Sequence, residues 1–389
     1  MALEVLPVSA AAPSPEPEYA QRISVLRQRM RAEGIAVVGA ASPETVYYLT
    51  GLDHLGYFAF TLLVVPESGQ PVLVTRAMEA PTVRAQVPWC RHVVFGDGES
   101  PAAAALAALA DAVVPGVTVA LDEESMFFPP AIAAAIRDGL PGVRWLSAYA
   151  ILAMQRAVKS PAEIGHIRQA ASISDQAVAA GIAAARPGVS ERSVAAEVYR
   201  AMIEAGGEPP GFPPLIRPTT MLEMEHVSWS GGTLRPGMGL FFELSASVRR
   251  YHAPQSRTIY LGHAPREAAE AADSALAGLV AAREALRPGA LTGEVYAAWQ
   301  RVVDGAAASP LRHHCGYLVG IGFPPSWVGG GAVLGIRAGG EAQIVPGMTF
   351  HLMSWVTRPI GHVVSDTVLV TEAGAELLTT TPRELTIIT

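Results

Sequence analysis

Two cysteines, Cys90 and Cys315, are all the thiols in this 389-residue chain. That number excludes a disulfide framework and a thiolate metal site, and it fits a reducing compartment, so a cytoplasmic protein is expected. Charge is also scarce: 16% of residues are charged and the balance is acidic, with a formal net charge of -7. No basic run is dense enough to follow a phosphate backbone, so nucleic acid is not an expected partner. Long apolar runs are missing as well. The stretch from 102 to 114 is shorter than a bilayer requires and is interrupted by Asp111, so no membrane association is expected. Residues 1–17 have no basic start and break into Pro and Ala, which reads as a flexible leader rather than a signal peptide. A Gly-x-Ser-x-Gly elbow, a phosphate-binding loop and a dinucleotide fingerprint are all absent.

Half of the residues are hydrophobic, enough for large cores, and the length exceeds what one core normally serves. Two domains are therefore expected. Residues 18–156 read as a small mixed α/β domain. A helix runs from Glu18 until Gly34 stops it, a hairpin is made of FAFTLLVV and PVLVT, and a later strand and helix are VTVALD and PPAIAAAIRDGL. The aromatic patch Gly56 to Phe60 reads as core and strand. The second domain, 157–389, opens at Ser160, Pro161 and Glu163, which together make a helix start of hydroxyl cap, Pro at N1 and Glu at N3. It carries a weak internal repeat. Each copy is a long helix, an Arg-Pro-Gly turn at Arg186 or Arg287, and an amphipathic helix containing Glu-Val-Tyr, followed by strands. Such halves predict a pseudo-symmetric α+β domain with a site between them.

The most informative stretch is FFELSASVRRYHAPQSRT, Phe241 to Thr258. Glu243 sits in an apolar run, followed by Arg249, Arg250, His252 and Arg257. A buried carboxylate persists only when something compensates it, so the pattern points to a pocket for a small polar ligand. The bland alternative is a structural ion pair between Glu243 and Arg249 or Arg257.

With QRAVKSPAEIGHIRQAA, ELSASVRRYHAPQSRTIYLG, HCGYLVGIGFPPSW, PGMTFHLMSW and SDTVLVTEAGAELLT in order, the chain resembles the creatinase and aminopeptidase P family, also called pita-bread or M24. It is most similar to the metal-independent, ectoine-hydrolase-like branch. The resemblance implies a creatinase-like N-terminal α/β domain, a pita-bread C-terminal domain and a homodimer. Metallopeptidases of the family hold two divalent ions with two Asp, one His and two Glu. At those positions this chain has Glu243, Pro254, Tyr317, Met353 and Ser365. Pro, Met and Ser cannot supply hard anionic ligands, so neither a metal nor another cofactor is expected.

What the resemblance implies is a hydrolase acting on a carbon–nitrogen bond of a small polar molecule. His226, in EMEHVSW, stands where creatinase has its catalytic histidine, and Glu243 is the nucleophile or base. His252 is a third catalytic candidate. Tyr251, Arg257, Tyr317, Trp327, His351 and Trp355 are the candidates for shaping the substrate pocket. Ser326 and Gly330 stand where ectoine-hydrolase-like sequences usually carry acids, a loss that weakens the expected recognition of an amidinium-like substrate. A metal-free lyase or cyclase and a non-catalytic ligand-binding homologue stay open as alternatives.

Overall fold

The computed structural model describes residues 5–6, 16–306, 313–331, 333–357 and 360–389. Contacts divide the chain into two units, Met1–Arg156 with Gly329–Ala332, and Ala157–Val328 with Val333–Thr389. Most of the expected leader lies outside the described residues. Within it, Val5–Leu6 (β1) pairs antiparallel with the strand Arg91–Phe95.

The first unit is built on a seven-stranded sheet. Its further strands are Val37–Ala40 (β2), Leu62–Pro66 (β3), Val72–Arg76 (β4), Arg91–Phe95 (β5), Thr118–Leu121 (β6) and Arg144–Ser147 (β7), in the order β1-β5-β4-β3-β2-β6-β7. The helix Pro17–Glu33 ends where Gly34 takes the left-handed conformation, at φ 66, and its buried stripe is Ile23, Leu26 and Met30. β3 and β4 form the expected hairpin, but the aromatic patch does not extend it. Gly56–Phe58 is instead a 3-10 turn. In that turn Tyr57 packs edge-on against Phe127, whereas Phe58 is 77% exposed. Strand alternation needs a continuous ladder, and here pairing begins only at Leu62.

The second unit begins at the expected cap. Ser160 Oγ accepts from Glu163 N, and Glu163 Oε2 accepts from Ser160 N, closing a capping box at the start of the 24-residue helix Pro161–Ala184. The repeat is real in structure. Helices Pro161–Ala184 and Glu191–Glu204 form one pair, and Ala268–Ala285 and Thr292–Ala306 form the other. Each pair turns at an Arg-Pro-Gly whose glycine has positive φ, 89 at Gly188 and 87 at Gly289. Gly188 N donates to Leu234 O, and Gly289 N donates to Ile344 O. From Leu234 and Ile344 the chain passes through Pro-Gly-Met into equivalent strands. Glu243 and Met353 therefore occupy the same place in the two copies.

Those strands belong to an eight-stranded sheet. It contains Leu215–Pro218 (β8), Gly239–Val248 (β9), Tyr251–Leu261 (β10), Gly316–Leu318 (β11), Thr349–Val356 (β12), His362–Thr371 (β13), Gly374–Leu377 (β14) and Thr386–Ile388 (β15). The order is β11-β12-β13-β10-β9-β8, with β14 on β13 and β15 on β10. On one face Phe242, Leu244 and Ile216 pack with the first helix pair, and Phe350, Leu352 and Val364 pack with the second. That leaves the opposite face to carry the site. Among the described residues, no helix is long and apolar enough to cross a membrane.

Candidate active site

Strand register places one row of side chains across the sheet. Leu215 pairs with Glu243, Glu243 with Ser256, Ser256 with Ser365, and Ser365 with Met353. Directly paired residues point to the same face, so this row and its neighbours two residues away form a single floor. Above it lies a cavity of about 440 Å³ lined by Leu215, Glu243, Met353, Trp355, Tyr317 and Trp327, among others. Glu223, Glu225 and His226 also reach it, as do His313 and His314.

Glu243 is the unusual member. It is 6% exposed, yet its carboxylate has no hydrogen-bond partner among the described residues, and the imidazole nearest to it is His351 Nδ1 at 4.0 Å. Burial pushes its pKa up to about 7, the Arg217 guanidinium draws it down, and the Glu225 carboxylate pushes it up again. A carboxylate in this state exchanges a proton near neutral pH and has lone pairs free for a ligand.

Beside it runs a chain of fixed hydrogen bonds. Trp327 Nε1 donates to Tyr317 Oη at 3.1 Å, and His351 Nδ1 lies 2.9 Å from the same oxygen. His351 Nε2 lies 2.6 Å from Ser365 Oγ, which donates to Ser256 Oγ at 2.8 Å. With the Ser365 proton directed at Ser256, His351 Nε2–H donates to Ser365 and Nδ1 accepts the Tyr317 proton. Burial lowers the His351 pKa to about 3, so the ring stays neutral. With those two partners Tyr317 Oη, in the cavity lining, retains one lone pair. Of the expected pocket residues, Tyr317, Trp327 and Trp355 line it directly, and His351 supports it from below.

His226 arrives by a different route. It stands at the exposed rim on the irregular segment after the 3-10 turn Thr219–Met221, its ring 6.0 Å from that of Phe212. Phe212 in turn packs 5.3 Å from Trp327. The segment also carries Glu223 and Glu225, which the sequence reading did not single out.

Three expected site residues serve elsewhere. His252 is fully buried, with Nε2 accepting from Gly211 N at 2.8 Å and Nδ1 donating to Arg250 O at 2.9 Å. Both nitrogens are spent on backbone, and burial lowers its pKa to about 4, so it is a structural imidazole rather than a proton carrier. Gly211 also passes close to the 326–327 backbone, where a Cβ would stand 2.6 Å from Ser326 O, and its neighbour Phe212 lines the cavity. Tyr251 donates to Glu163 at 2.8 Å, tying the sheet to the first long helix. Arg257 is 4% exposed and binds Asp366 together with the carbonyls of Ser365, Thr381 and Pro382. Arg249 and Arg250 form the tip of the β9–β10 hairpin with φ 50 and 63, the turn type that matches strand twist.

The cation that acts on Glu243 is Arg217, in LIRP of β8. It shares the floor's face through the pairing Arg217 with Phe241, and an arginine inside an apolar run was the signal that could have revealed it.

Of the five positions to which the resemblance assigns metal ligands, only Glu243 offers a carboxylate. Met353 presents a thioether, Tyr317 a phenol committed to Trp327 and His351, and Ser365 a hydroxyl committed to Ser256. Among the described residues no group of three or more His, Cys, Asp or Glu is arranged to hold a metal ion. This donor set does not fit a pair of hard divalent cations.

Comparison with known proteins agrees with the fold. The chain is 29% identical to ectoine hydrolase of Halomonas elongata over 97% of this chain and 99% of that protein. It is 26% identical to a probable dipeptidase PepE of Mycobacterium tuberculosis over 95% of this chain and 96% of that one. The crystal structure of a prolidase from Thermococcus sibiricus superposes with TM-score 0.85 at 19% identity, covering 96% of this chain and all of that one. Residues 22–158 match the creatinase/prolidase N-terminal domain, and residues 165–372 match metallopeptidase family M24. The chain belongs to the M24 hydrolase family.

Proposed function

We infer that the protein hydrolyses a carbon–nitrogen bond of a small polar molecule, a cyclic amidine, amidine or amide, without a metal ion. The observation that carries this reading is Glu243, buried, facing the cavity and without a hydrogen-bond partner among the described residues. The full-length similarity to an ectoine hydrolase supports it, and so does the loss of donors at the peptidase metal positions. Glu243 attacks the electrophilic carbon or draws a proton from water against it, and His226 supplies a proton to the departing nitrogen. Tyr317, held by Trp327 and His351, accepts a hydrogen bond from a substrate N–H. The aromatic walls Trp327, Trp355 and Phe212 shield the reacting carbon from bulk solvent.

The test is turnover of ectoine, creatine and simple cyclic amidines and amides by wild type and Glu243→Gln, each with and without a chelator. Wild type should act on at least one of them unaffected by chelator, and Glu243→Gln should lose about 10³-fold or more in kcat. Stoichiometric bound manganese or zinc with chelator-sensitive activity would overturn the metal-free mechanism. Full activity in Glu243→Gln would overturn the role of the carboxylate.

A further inference from the structure

We propose that Arg217 is a positioning residue of this site, its guanidinium anchoring the segment that carries His226 to the sheet face that carries Glu243. The proposal rests on reading the cavity as the active site. Its grounds are geometric. Arg217 is fully buried, and its Nε donates to Met221 O at 3.2 Å while Nη1 donates to Val227 O at 3.1 Å. Those two carbonyls bracket the residues from 222 to 226. One side chain therefore holds both ends of the segment that presents Glu223, Glu225 and His226.

Apolar burial fixes little of that segment. Leu222 is buried in the apolar cluster with Phe241 and Trp355, but Glu223, Met224, Glu225 and His226 are all exposed. A segment with so few buried apolar contacts opens easily unless its backbone is tied down. Backbone bonds run from Leu222 N to Thr219 O and from Met224 N to Met221 O, and just beyond the segment Ser228 Oγ donates to Pro214 O and accepts from Ile216 N.

A buried guanidinium serving only stability would be expected to sit on a carboxylate with its donors filled. Arg217 instead lies over the Phe241 ring at 4.6 Å, and its Nη2 has no hydrogen-bond partner among the described residues. The charged groups acting on it are Glu243 and Glu225, one from the floor and one from the segment it holds. Arg217 is thus the element common to both halves of the proposed acid–base pair.

Hydrogen exchange and kinetics on Arg217→Lys, Arg217→Met, His226→Ala and the double variant Arg217→Met/His226→Ala test this. In Arg217→Met the amides of residues 222–227 should exchange about tenfold faster or more, while those of β9 and β10 keep their protection. Arg217→Lys, which keeps the charge but not the fork, should fall between the two and serves as the folded comparison if Arg217→Met is unstable. On whichever panel compound wild type turns over, Arg217→Met should lower kcat about 10²-fold with KM within about threefold. In the His226→Ala background the same change should cost less than about threefold, because a residue acting through His226 has nothing left to position. Unchanged exchange across 222–227 overturns the proposal, and so does an equal kcat loss with and without His226. Full turnover by His226→Ala sinks the assigned role of His226 instead, and exchange alone then decides whether Arg217 holds the segment.

Discussion

Two buried carboxylates in the second unit have opposite surroundings. Asp366, on β13, is fully buried and saturated. Oδ1 accepts from Arg257 Nη2 at 2.9 Å and Thr379 Oγ at 2.8 Å, and Oδ2 accepts from Arg383 Nε at 2.5 Å. Glu243, two strands away on β9, has a compensating guanidinium in Arg217 but no hydrogen bond among the described residues. The contrast follows from strand alternation. Ser365 and Asp366 are neighbours in sequence, yet Ser365 belongs to the cavity row while Asp366 turns to the other face and meets the C-terminal segment. Ser256 and Arg257 divide in the same way on β10. On β10 and β13 one face carries the Arg257–Asp366 lock, while the cavity face they share with β9 carries Glu243 without a hydrogen-bond partner among the described residues.

Breaking the lock should give the largest effect. Asp366→Ala leaves the Arg257 guanidinium buried without its counter-charge, which costs about 3–5 kcal/mol. It should also loosen residues 379–383, which Arg257 and Arg383 hold through the carbonyls of Thr379, Thr381 and Pro382. Urea unfolding monitored on the second unit would show the loss as a lower midpoint. Turnover per folded molecule should stay within about threefold of wild type, provided the two faces act separately. A drop in kcat as large as that of Glu243→Gln in fully folded protein would mean that the lock also serves the site.

Much of this arrangement was legible in the sequence, and the parts that were not share a cause. The Ser160 cap, the Arg-Pro-Gly repeats and the two-domain plan rest on local patterns, and local patterns survive in a one-dimensional reading. Glu243 stood out because a carboxylate in Phe-Phe-Glu-Leu breaks an apolar run. Arg217 breaks Leu-Ile-Arg-Pro in the same way, but its importance depends on β8 pairing with β9, which no local spacing reveals. His252 and Arg257 misled for the converse reason. They lie on the right hairpin, but the partners that absorb them, Gly211 and the 379–383 segment, are distant in sequence. Whether a polar residue is spent or available is a tertiary property.

The pH dependence of stability sharpens the comparison at an intermediate scale. Glu243 has a folded pKa near 7, above its ordinary value of 4.5, so below pH 4.5 both folded and unfolded chains hold its proton. Between pH 4.5 and 7 the unfolded state releases that proton while the folded state keeps it. Stability therefore falls as pH rises through this window and stays lower above it. Glu243→Gln removes the penalty and should exceed wild type by about 3 kcal/mol at pH 8, with the difference vanishing below pH 4.5. Thermal melts of both proteins from pH 4 to pH 8 would show converging curves at the acid end. A Gln variant less stable than wild type at pH 8 would mean that the carboxylate is structural after all, like Asp366.

The smallest effect belongs to the relay beside Glu243. Trp327→Phe keeps the aromatic wall against Phe212 but removes the donor that fixes Tyr317 Oη. One net hydrogen bond amounts to about 0.5–1.5 kcal/mol, so the melting temperature should move only slightly. The catalytic consequence is distinct, because among the described residues Tyr317 Oη then keeps only His351 as a fixed partner and its lone pairs are less well aimed at the substrate. KM should rise up to about tenfold while kcat changes little, since the lost order affects how substrate is held rather than how the proton moves. Equal falls in kcat and kcat/KM would instead place Tyr317 in the transition state beside Glu243, and the open face of the sheet would then hold two reacting groups rather than one.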